Sequence, residues 1–402
     1  MLLLCSLPYQ VVLADELELP AQSAIAVEAD TGKILYEKDS EKKRDVGGLS
    51  TLLTTYLIFE AIHEKKLSLK DPIKLSEKAL ALNDIEGAGT LPMEANQYTV
   101  EQLLTALLVG NSSTAALALA EKVGGSEKSF VEKMKQKLSE WGIQSPHLIN
   151  ATGLNTQTIS GDPDGKGDEN QLSAYDIAVI AKHLLQDFPE VTKYTSKPTA
   201  LFSNTQIENP NLMLEGMPNY RSGVDGLRVS NSTKGGITFA ASTTQNGIHM
   251  ITVVLGVEAV DGDPYARFVA TSSLMNYVVR TFVSSIVVKE GDPYGKSKAT
   301  IMDGKSETVL AVAKKDFYIV EKQGSQAEPK IQFKSDQESF RAPVKSGTNL
   351  GKIHYTDPDK IGRGYLEDQE PTVDMVAGRT IEKSFFLKVW WNQFVRYVNE
   401  KL

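Results

Sequence analysis

A serine and a lysine three residues apart on a helix can act as a nucleophile and its base, because one turn places both side chains on one face. The chain contains this spacing once, at Ser40-Glu-Lys-Lys43. The pair lies in a run of charges before the first segment with apolar helical periodicity, so no helix fixes its geometry. We therefore predict a solvated loop at Ser40 to Lys43 and no catalysis there.

Residues that bind metals are few and scattered. Cys5 is the only cysteine, and no two histidines have helical or zinc-finger spacing or form an H-E-x-x-H motif. The five histidines are His63, His147, His183, His249 and His354. The sequence therefore predicts no histidine-based metal site and no cofactor.

Size and charge limit the class of protein. A chain of 402 residues with 41% hydrophobic and 23% charged residues has a globular composition, and its length suits two or three domains of roughly 150 residues each. Its formal net charge is −8. Without a clustered basic stripe, this charge argues against a nucleic-acid partner.

The first 14 residues form an apolar run that ends in Ala14 before acidic residues, which is typical of a secretory signal peptide. We predict cleavage after Ala14, export, and removal of Cys5 with the signal. A basic start is missing, so we expect the signal to be truncated at its beginning. The alternatives are a first core strand and a lipid on Cys5.

Strand and helix patterns alternate over residues 21–282. A predicted hairpin around Asp30-Thr-Gly-Lys33 precedes an apolar helix over 49–62, which we expect to be a buried central helix. Two further helices, 100–109 and 115–123, are separated by a polar break, and three strands and a helix from Arg267 follow. This order predicts an α+β domain with a sheet covered by helices.

The last 120 residues change character twice. Residues 283–380 have short β-rich runs between Gly, Pro and Asp turns, which predict a small β-sandwich stalk. Residues 381–402 predict an amphipathic helix that anchors the chain in a membrane interface, with docking on the β domain as the alternative. Its apolar face consists of Leu387, Trp390, Trp391, Phe394 and Val398.

From about Ala21 to Leu402 the chain resembles the low-molecular-mass penicillin-binding proteins, the serine-type D-alanyl-D-alanine carboxypeptidases. The resemblance implies a β-lactamase/transpeptidase-like α+β domain, a β-sandwich, a membrane-binding helix, and removal of the last D-alanine from peptidoglycan stem pentapeptides through an acyl-serine. The matching segments are Ala24–Tyr36, Leu91–Ala95, Ala115–Lys122, Asn150–Leu154, Leu172–Asp176, Val224–Leu227 and the terminal helix.

The family's chemistry uses three motifs, S-x-x-K, S-x-N and K-T-G. The resemblance puts Gly48 at the position of the nucleophile and Thr51 at that of the lysine base. Glycine has no oxygen to acylate, and threonine is no amine base. Two helical residues correspond to about 200° of rotation, so Ser50 is expected to face away from the site.

The other two motifs are also altered. Asn111 and Ser113 stand in place of S-x-N, or alternatively the serines here cap the second helix. K-T-G is replaced by Arg228-Val229-Ser230. Arg228 and Arg267 are candidate partners for a ligand carboxylate, and the alternative for Arg267 is a surface residue at a helix start.

With all three motifs altered, we predict a cell-surface pseudoenzyme of peptidoglycan metabolism that binds wall peptides or cell-wall proteins. One alternative is an active carboxypeptidase that uses a non-standard nucleophile such as Ser50 or Ser113. Another is a surface anchor in which only the β domain and the terminal helix are used.

Overall fold

The computed structural model describes residues 17–85, 91, 93–160 and 167–401. The predicted signal segment, 1–14, lies outside these residues. The strands of the first domain, in chain order, are β1 Ala21–Glu28, β2 Ile34–Lys38, β3 Arg44–Asp45, β4 Pro72–Lys74, β5 Gln97–Thr99, β6 Gln171–Leu172, β7 Thr199–Phe202, β8 Thr205–Glu208, β9 Val224–Ser232, β10 Gly236–Gln245 and β11 Ile248–Val257. Its helices are α1 Thr51–His63, α2 Glu77–Ala81, α3 Val100–Leu108, α4 Ser113–Gly124, α5 Glu127–Glu140, α6 Thr156–Ser160, α7 Ala174–Asp187, α8 Thr192–Thr195 and α9 Ala266–Thr281.

The central sheet has five antiparallel strands in the order β2-β1-β11-β10-β9. Both of its faces are covered. On β1, Ile25 and Val27 pack into the core formed with α1, α3, α4 and α7, whereas Ala24 and Ala26 pack into the core formed with α9. This follows from the alternation of side chains along a strand. Among the strands that the structure describes, β9 pairs with β10 alone, so its other edge is open to neighbouring loops.

Helix α1 is buried on nearly all sides, as its sequence predicts. A 3₁₀ turn, Gly47–Ser50, leads into it and packs against β9. Helices α3 and α4 are separated by a short break in which Asn111 has a left-handed φ of 56°, a conformation that asparagine tolerates better than most residues. Ser112 then caps α4 by accepting a hydrogen bond from the Ala115 N–H.

The second domain is the predicted β-sandwich, and that prediction is confirmed. Six of its strands form a sheet in the order β16-β18-β19-β14-β13-β17, and β12 pairs with β15. Together they enclose a separate apolar core. The strands are β12 Phe282–Val288, β13 Pro293–Met302, β14 Thr308–Ala313, β15 Phe317–Lys322, β16 Lys330–Ser335, β17 Phe340–Arg341, β18 Asn349–Thr356 and β19 Thr372–Ala377.

Helix α10, Phe386–Lys401, follows the β domain. It begins five residues later than the predicted boundary at 381, because Ile381 still forms a backbone bridge with Val344. Within the described part of the chain, no helix has the length and apolar character needed to cross a bilayer. Large apolar side chains are nevertheless exposed from Phe385 onward, namely Phe385, Phe386, Leu387, Trp390, Trp391, Phe394, Val395 and Tyr397.

The two domains are joined by a buried ion pair. Lys33, in the turn between β1 and β2, contacts Asp357 of the β domain at 2.7 Å, and both side chains are almost fully buried. Lys33 also donates to the Val320 carbonyl at 2.7 Å, and the Tyr365 hydroxyl lies 3.3 Å from Asp357. An ion pair taken out of water persists only when further hydrogen bonds satisfy it, as here.

A second contact lies on the same loop of the β domain. Glu367 accepts hydrogen bonds from Lys182 at 2.9 Å and from His183 at 3.0 Å, both on α7. Burial raises the pKa of Glu367, but the hydrogen bonds from His183 and Lys182 outweigh this and lower the pKa to about 2. The ionised carboxylate therefore stabilises the docking of the two domains.

We predict that Glu367→Gln lowers the free energy of unfolding at pH 7 by roughly 2 to 3 kcal/mol. The folded-state pKa lies below the unfolded one, so the contribution is complete above about pH 4.5 and disappears as the pH falls toward 2. Urea unfolding at pH 7, 5 and 3.5 measures this. Glu370→Gln, which breaks a more exposed pair with Lys360, is the control and should cost less than about 1 kcal/mol at every pH. Equal effects of the two variants would contradict the assignment.

Candidate functional site

A cavity of about 660 Å³ lies between the start of α1, the α3–α4 break and the open edge of β9. The structure brings together there most of the positions singled out from the sequence. Those that line the cavity are Gly48, Asn111, Ser113, Arg228, Val229, Ser230 and Arg267.

Gly48 is in direct contact with β9. Its backbone N–H donates a hydrogen bond to the Ser230 hydroxyl oxygen at 2.7 Å. A Cβ atom at position 48 would lie 3.0 Å from that oxygen and 3.8 Å from Nη2 of Arg228. Ser230 therefore crowds a side chain at position 48, which would require a small shift of one of the two residues.

Neither Thr51 nor Ser50 lines the cavity. The Thr51 hydroxyl donates to the Gly48 carbonyl at 2.6 Å. The Ser50 hydroxyl donates to the Gly47 carbonyl at 3.0 Å and accepts from the Asn170 amide at 2.8 Å, and its side chain is fully buried. Both hydroxyls thus serve the local structure of the turn that starts α1.

The loop that follows α5 closes tightly on the same turn. Gly153 has a left-handed φ of 76°, and a Cβ there would lie 2.3 Å from the Gly47 carbonyl oxygen. Glycine is therefore required at this position. The Asn150 side chain stabilises the loop by accepting a hydrogen bond from the Gly153 N–H at 2.7 Å.

Asn111 and Ser113 line the cavity as well. The Asn111 amide donates to the Val229 carbonyl at 3.1 Å, which ties the α3–α4 break to the edge of β9. Ser113 is the first residue of α4 and lines the cavity. The capping role that the sequence left open for these serines belongs to Ser112.

Two buried guanidinium groups line the cavity. Arg228 donates from Nη1 to the Leu107 carbonyl at 2.6 Å, while its Nε has no hydrogen-bond partner. Arg267 donates to the carbonyls of Ser230 at 2.8 Å and Thr238 at 3.2 Å, and also to the Asn231 side chain. Burial lowers the pKa of both arginines to about 10, so both are cationic at neutral pH. The alternative for Arg267, a surface residue, is wrong because its side chain is buried.

The sequence did not single out Glu169, which also lines the cavity and is 1% exposed. Its Oε1 accepts hydrogen bonds from the Asn155 amide at 3.0 Å and from the Thr233 N–H at 2.9 Å. Its Oε2 has no partner. Sequence spacing gave no sign of this placement, because Glu169 is 64 residues from Thr233 in the chain.

The literal S-x-x-K pair lies elsewhere. Ser40 is buried and its hydroxyl contacts Glu37 at 3.1 Å, while Lys43 pairs with Asp176. The predicted solvated loop is therefore wrong for Ser40, whose burial depends on tertiary packing that the charged sequence did not reveal. In residues 17–85, 91, 93–160 and 167–401, no three His, Cys, Asp or Glu side chains group to hold a metal ion.

Two family descriptions match the chain. "D-alanyl-D-alanine carboxypeptidase" matches residues 10–259, and "Penicillin-binding protein 5, C-terminal domain" matches residues 282–383. The D-alanyl-D-alanine carboxypeptidase DacF of Bacillus subtilis is 26% identical over 343 residues, which cover 84% of this chain and 82% of that protein.

Solved structures agree with this match. A crystal structure described as a peptidoglycan synthesis regulatory factor (PBP3) from Streptococcus pneumoniae is 44% identical, with a TM-score of 0.87, and covers 91% of this chain and 100% of that one. Penicillin binding protein 5 from Haemophilus influenzae has a TM-score of 0.71 at 22% identity, covering 92% of this chain and 100% of that one, and so shares the fold.

Proposed function

The chain belongs to the D-alanyl-D-alanine carboxypeptidase family, whose members act on peptidoglycan at the cell surface, and from this premise we propose that it is a pseudoenzyme. In this proposal the chain binds wall peptides or cell-wall proteins and does not cleave them. The contact between Gly48 and Ser230 is the observation on which the proposal rests.

Glycine at position 48 provides no side-chain oxygen that could accept an acyl group. Its N–H donates to the Ser230 hydroxyl, and a Cβ atom there would lie 3.0 Å from that oxygen, which crowds any side chain at this position. Thr51 provides no amine, and its hydroxyl is held by the Gly48 carbonyl. In a serine hydrolase, loss of the nucleophile costs a factor of roughly 10⁶ in rate, which corresponds to about 8 kcal/mol of activation free energy.

The cavity still suits an anionic ligand group. Arg228 and Arg267 are buried cations, and Arg228 has an unused Nε donor. A carboxylate entering the cavity would accept hydrogen bonds from groups already fixed by the protein, which reduces the entropic cost of binding. The terminal carboxylate of a D-Ala-D-Ala peptide is the ligand group that this family membership suggests.

The position of the protein in the cell is part of the proposal. Export through the signal segment 1–14 would place the chain outside the cytoplasmic membrane, and α10 would hold it on the membrane surface. The exposed Trp390, Trp391 and Phe394 support this role, because tryptophan favours the bilayer interface and such a row of apolar side chains is costly in water.

One observation favours the alternative, an active carboxypeptidase with a non-standard nucleophile. Ser113 lines the cavity and could reach a bound peptide. Against this, the cavity-lining residues of the described chain include no lysine or histidine that could take its proton. Ser50 is the weaker candidate, because it is buried away from the cavity.

We predict that the wild-type protein and the variant Gly48→Ser both remain unlabelled by fluorescent penicillin. The variant gains a hydroxyl but has no amine at position 51, and its Cβ lies 3.0 Å from the Ser230 hydroxyl oxygen. Gel fluorescence and mass spectrometry measure labelling, with an active family member as the positive control. A covalent adduct on any cavity side chain of the wild-type protein would refute the proposal.

We predict that the wild-type protein binds a D-Ala-D-Ala peptide and that Arg228→Met weakens the affinity about tenfold or more, because a charged hydrogen bond is lost. Isothermal calorimetry measures both affinities. Arg221→Met is the matched control, since Arg221 is a half-buried arginine that contacts Asn276 and Gln245 away from the cavity. It should change the affinity less than twofold. If the wild-type protein gives no heat of binding, the peptide-binding version of the proposal fails.

We predict that the full chain co-sediments with phosphatidylglycerol vesicles and that the double variant Trp390→Ser, Trp391→Ser binds them at least about tenfold more weakly, because two large apolar side chains no longer enter the interface. Tyr318→Ser removes an exposed aromatic residue of the β domain and serves as the control. Undiminished sedimentation of the double variant would argue against membrane anchoring by α10.

A further inference from the structure

A groove of about 510 Å³ lies on the outer face of the β domain and shares no lining residue with the cavity of the first domain. It follows β14, where Thr308, Leu310 and Val312 line the groove and the residues between them pack into the core of the sandwich. This alternation is that of a strand with one buried face. The volume of the groove lies within the range of roughly 300 to 1,000 Å³ that is typical of small-molecule sites.

The middle of the groove is apolar. Leu310 is 46% exposed although its strand lies inside the sheet, and Val312 and its cross-strand partner Pro293 line the groove beside it. Gly378, directly after β19, keeps this space free, because a Cβ atom there would lie 3.0 Å from Cγ1 of Val312. An apolar chain bound in the groove would therefore remove this apolar surface from water, which is favourable.

The charged residues that line the groove are cations. Lys298 lies on β13 and Arg379 follows β19, and the described residues that line the groove include no Asp or Glu. Neither cation forms an ion pair within the part of the chain that the structure describes. In contrast, Lys314 and Lys352 of the same domain each lie 3.7 Å from Asp374. The groove therefore offers two unpaired positive charges to an anion.

One end of the groove is joined to the segment that leads into α10. Ser306, which lines the groove, belongs to the turn between β13 and β14. In this turn the Lys305 N–H donates to the Glu382 carbonyl at 2.9 Å, and the Asp303 carbonyl accepts from the Ser384 N–H at 2.8 Å. Helix α10 begins two residues after Ser384. With α10 on the membrane, as proposed, this end of the groove would lie near the bilayer surface.

We propose that the groove along β14 binds one anionic phospholipid of the membrane on which α10 lies. Lys298 and Arg379 hold its phosphate, and part of an acyl chain lies along Leu310 and Val312. A lipid bound there gives the β domain a defined orientation on the membrane, which the single helix α10 does not by itself impose. This inference rests on the proposed function, because α10 must first bring the β domain to a membrane.

A phospholipid fits the groove better than a free anion or a peptide strand does. A free phosphate would pair with the two cations but would leave Leu310 exposed to water. A peptide strand binds by pairing with a free sheet edge, whereas β14 is hydrogen-bonded to β13 on one side and to β19 on the other. An anionic phospholipid carries a phosphate and apolar chains in one molecule, and basic residues near a bilayer attract such lipids.

Native mass spectrometry tests the site on the full chain, released from detergent micelles that contain equal amounts of phosphatidylglycerol and phosphatidylcholine. We expect the wild-type protein to retain one phosphatidylglycerol in preference to phosphatidylcholine. The double variant Lys298→Met, Arg379→Met should retain it about tenfold less, because charged hydrogen bonds to the phosphate are lost. The double variant Lys305→Met, Lys345→Met is the matched control, since it removes the same charge next to the segment before α10 and outside the groove. It should leave the retention unchanged.

The variant Gly378→Val tests the apolar part of the groove without a change of charge. Its side chain would crowd Val312. Excluding one methylene group of an acyl chain weakens binding about fourfold, so the retention of phosphatidylglycerol should fall at least by this factor. Excess soluble sn-glycerol 3-phosphate should not displace the lipid. Displacement would indicate a site for a free phosphate and would overturn the lipid assignment.

The outcomes separate this inference from the proposed function. If the wild-type protein sediments with phosphatidylglycerol vesicles but retains both lipids equally, or neither, the lipid groove is overturned and the anchoring by α10 stands. If the wild-type protein does not sediment with the vesicles, the anchoring is overturned, and this inference with it. Equal losses in the two double variants would also overturn the groove. If Gly378→Val did not fold, the two double variants would decide.

Discussion

The hydrogen bond from the Gly48 N–H to the Ser230 hydroxyl fixes the geometry of the cavity. It joins the turn before the buried helix α1 to the open edge of β9, the two elements whose separation sets the width of the site. A Cβ atom at position 48 would lie 3.0 Å from the Ser230 hydroxyl oxygen, so glycine lets this contact form without a shift of the strand. The amide of Asn111 holds the third wall against the same strand. The turn before α1 and the α3–α4 break are therefore both hydrogen-bonded to the same strand, β9.

The spacing of apolar residues predicted the helices and strands that surround the cavity, because burial in the first domain follows the periods of these elements. The apolar surface of α1, the hairpin of β1 and β2 and the polar break before α4 each reflect one local environment, and each is found where the sequence indicates it. The later start of α10 has a non-local cause. Ile381 fits a helical pattern as well as a strand, and its pairing with Val344 decides between them.

The chemistry of the site was only partly predictable for the same reason. The family motifs located Gly48, Arg228 and Ser230 by their order in the chain, whereas Glu169 reaches the cavity only because its loop folds back on Thr233. Likewise, the burial of Ser40, whose carbonyl accepts a hydrogen bond from the Tyr175 N–H in the first turn of α7, could not be inferred from the charges that surround it in sequence. Contacts between residues far apart in sequence could not be predicted where no motif marks them.

The buried charged groups that line the cavity lower the stability of the folded protein, and this cost indicates that they have a function. Among the described residues, two buried guanidinium groups donate to backbone and amide acceptors, and a carboxylate oxygen is buried without a donor. Replacing buried charges by apolar side chains of similar volume is often neutral or stabilising. If the cavity bound no ligand, replacing these groups with apolar side chains would therefore stabilise the protein. Such a replacement would not lower a catalytic rate either, if the glycine at position 48 has already removed the nucleophile. Binding of an oppositely charged ligand is the simplest compensation, because each unsatisfied group would then acquire a partner that the described part of the chain does not supply.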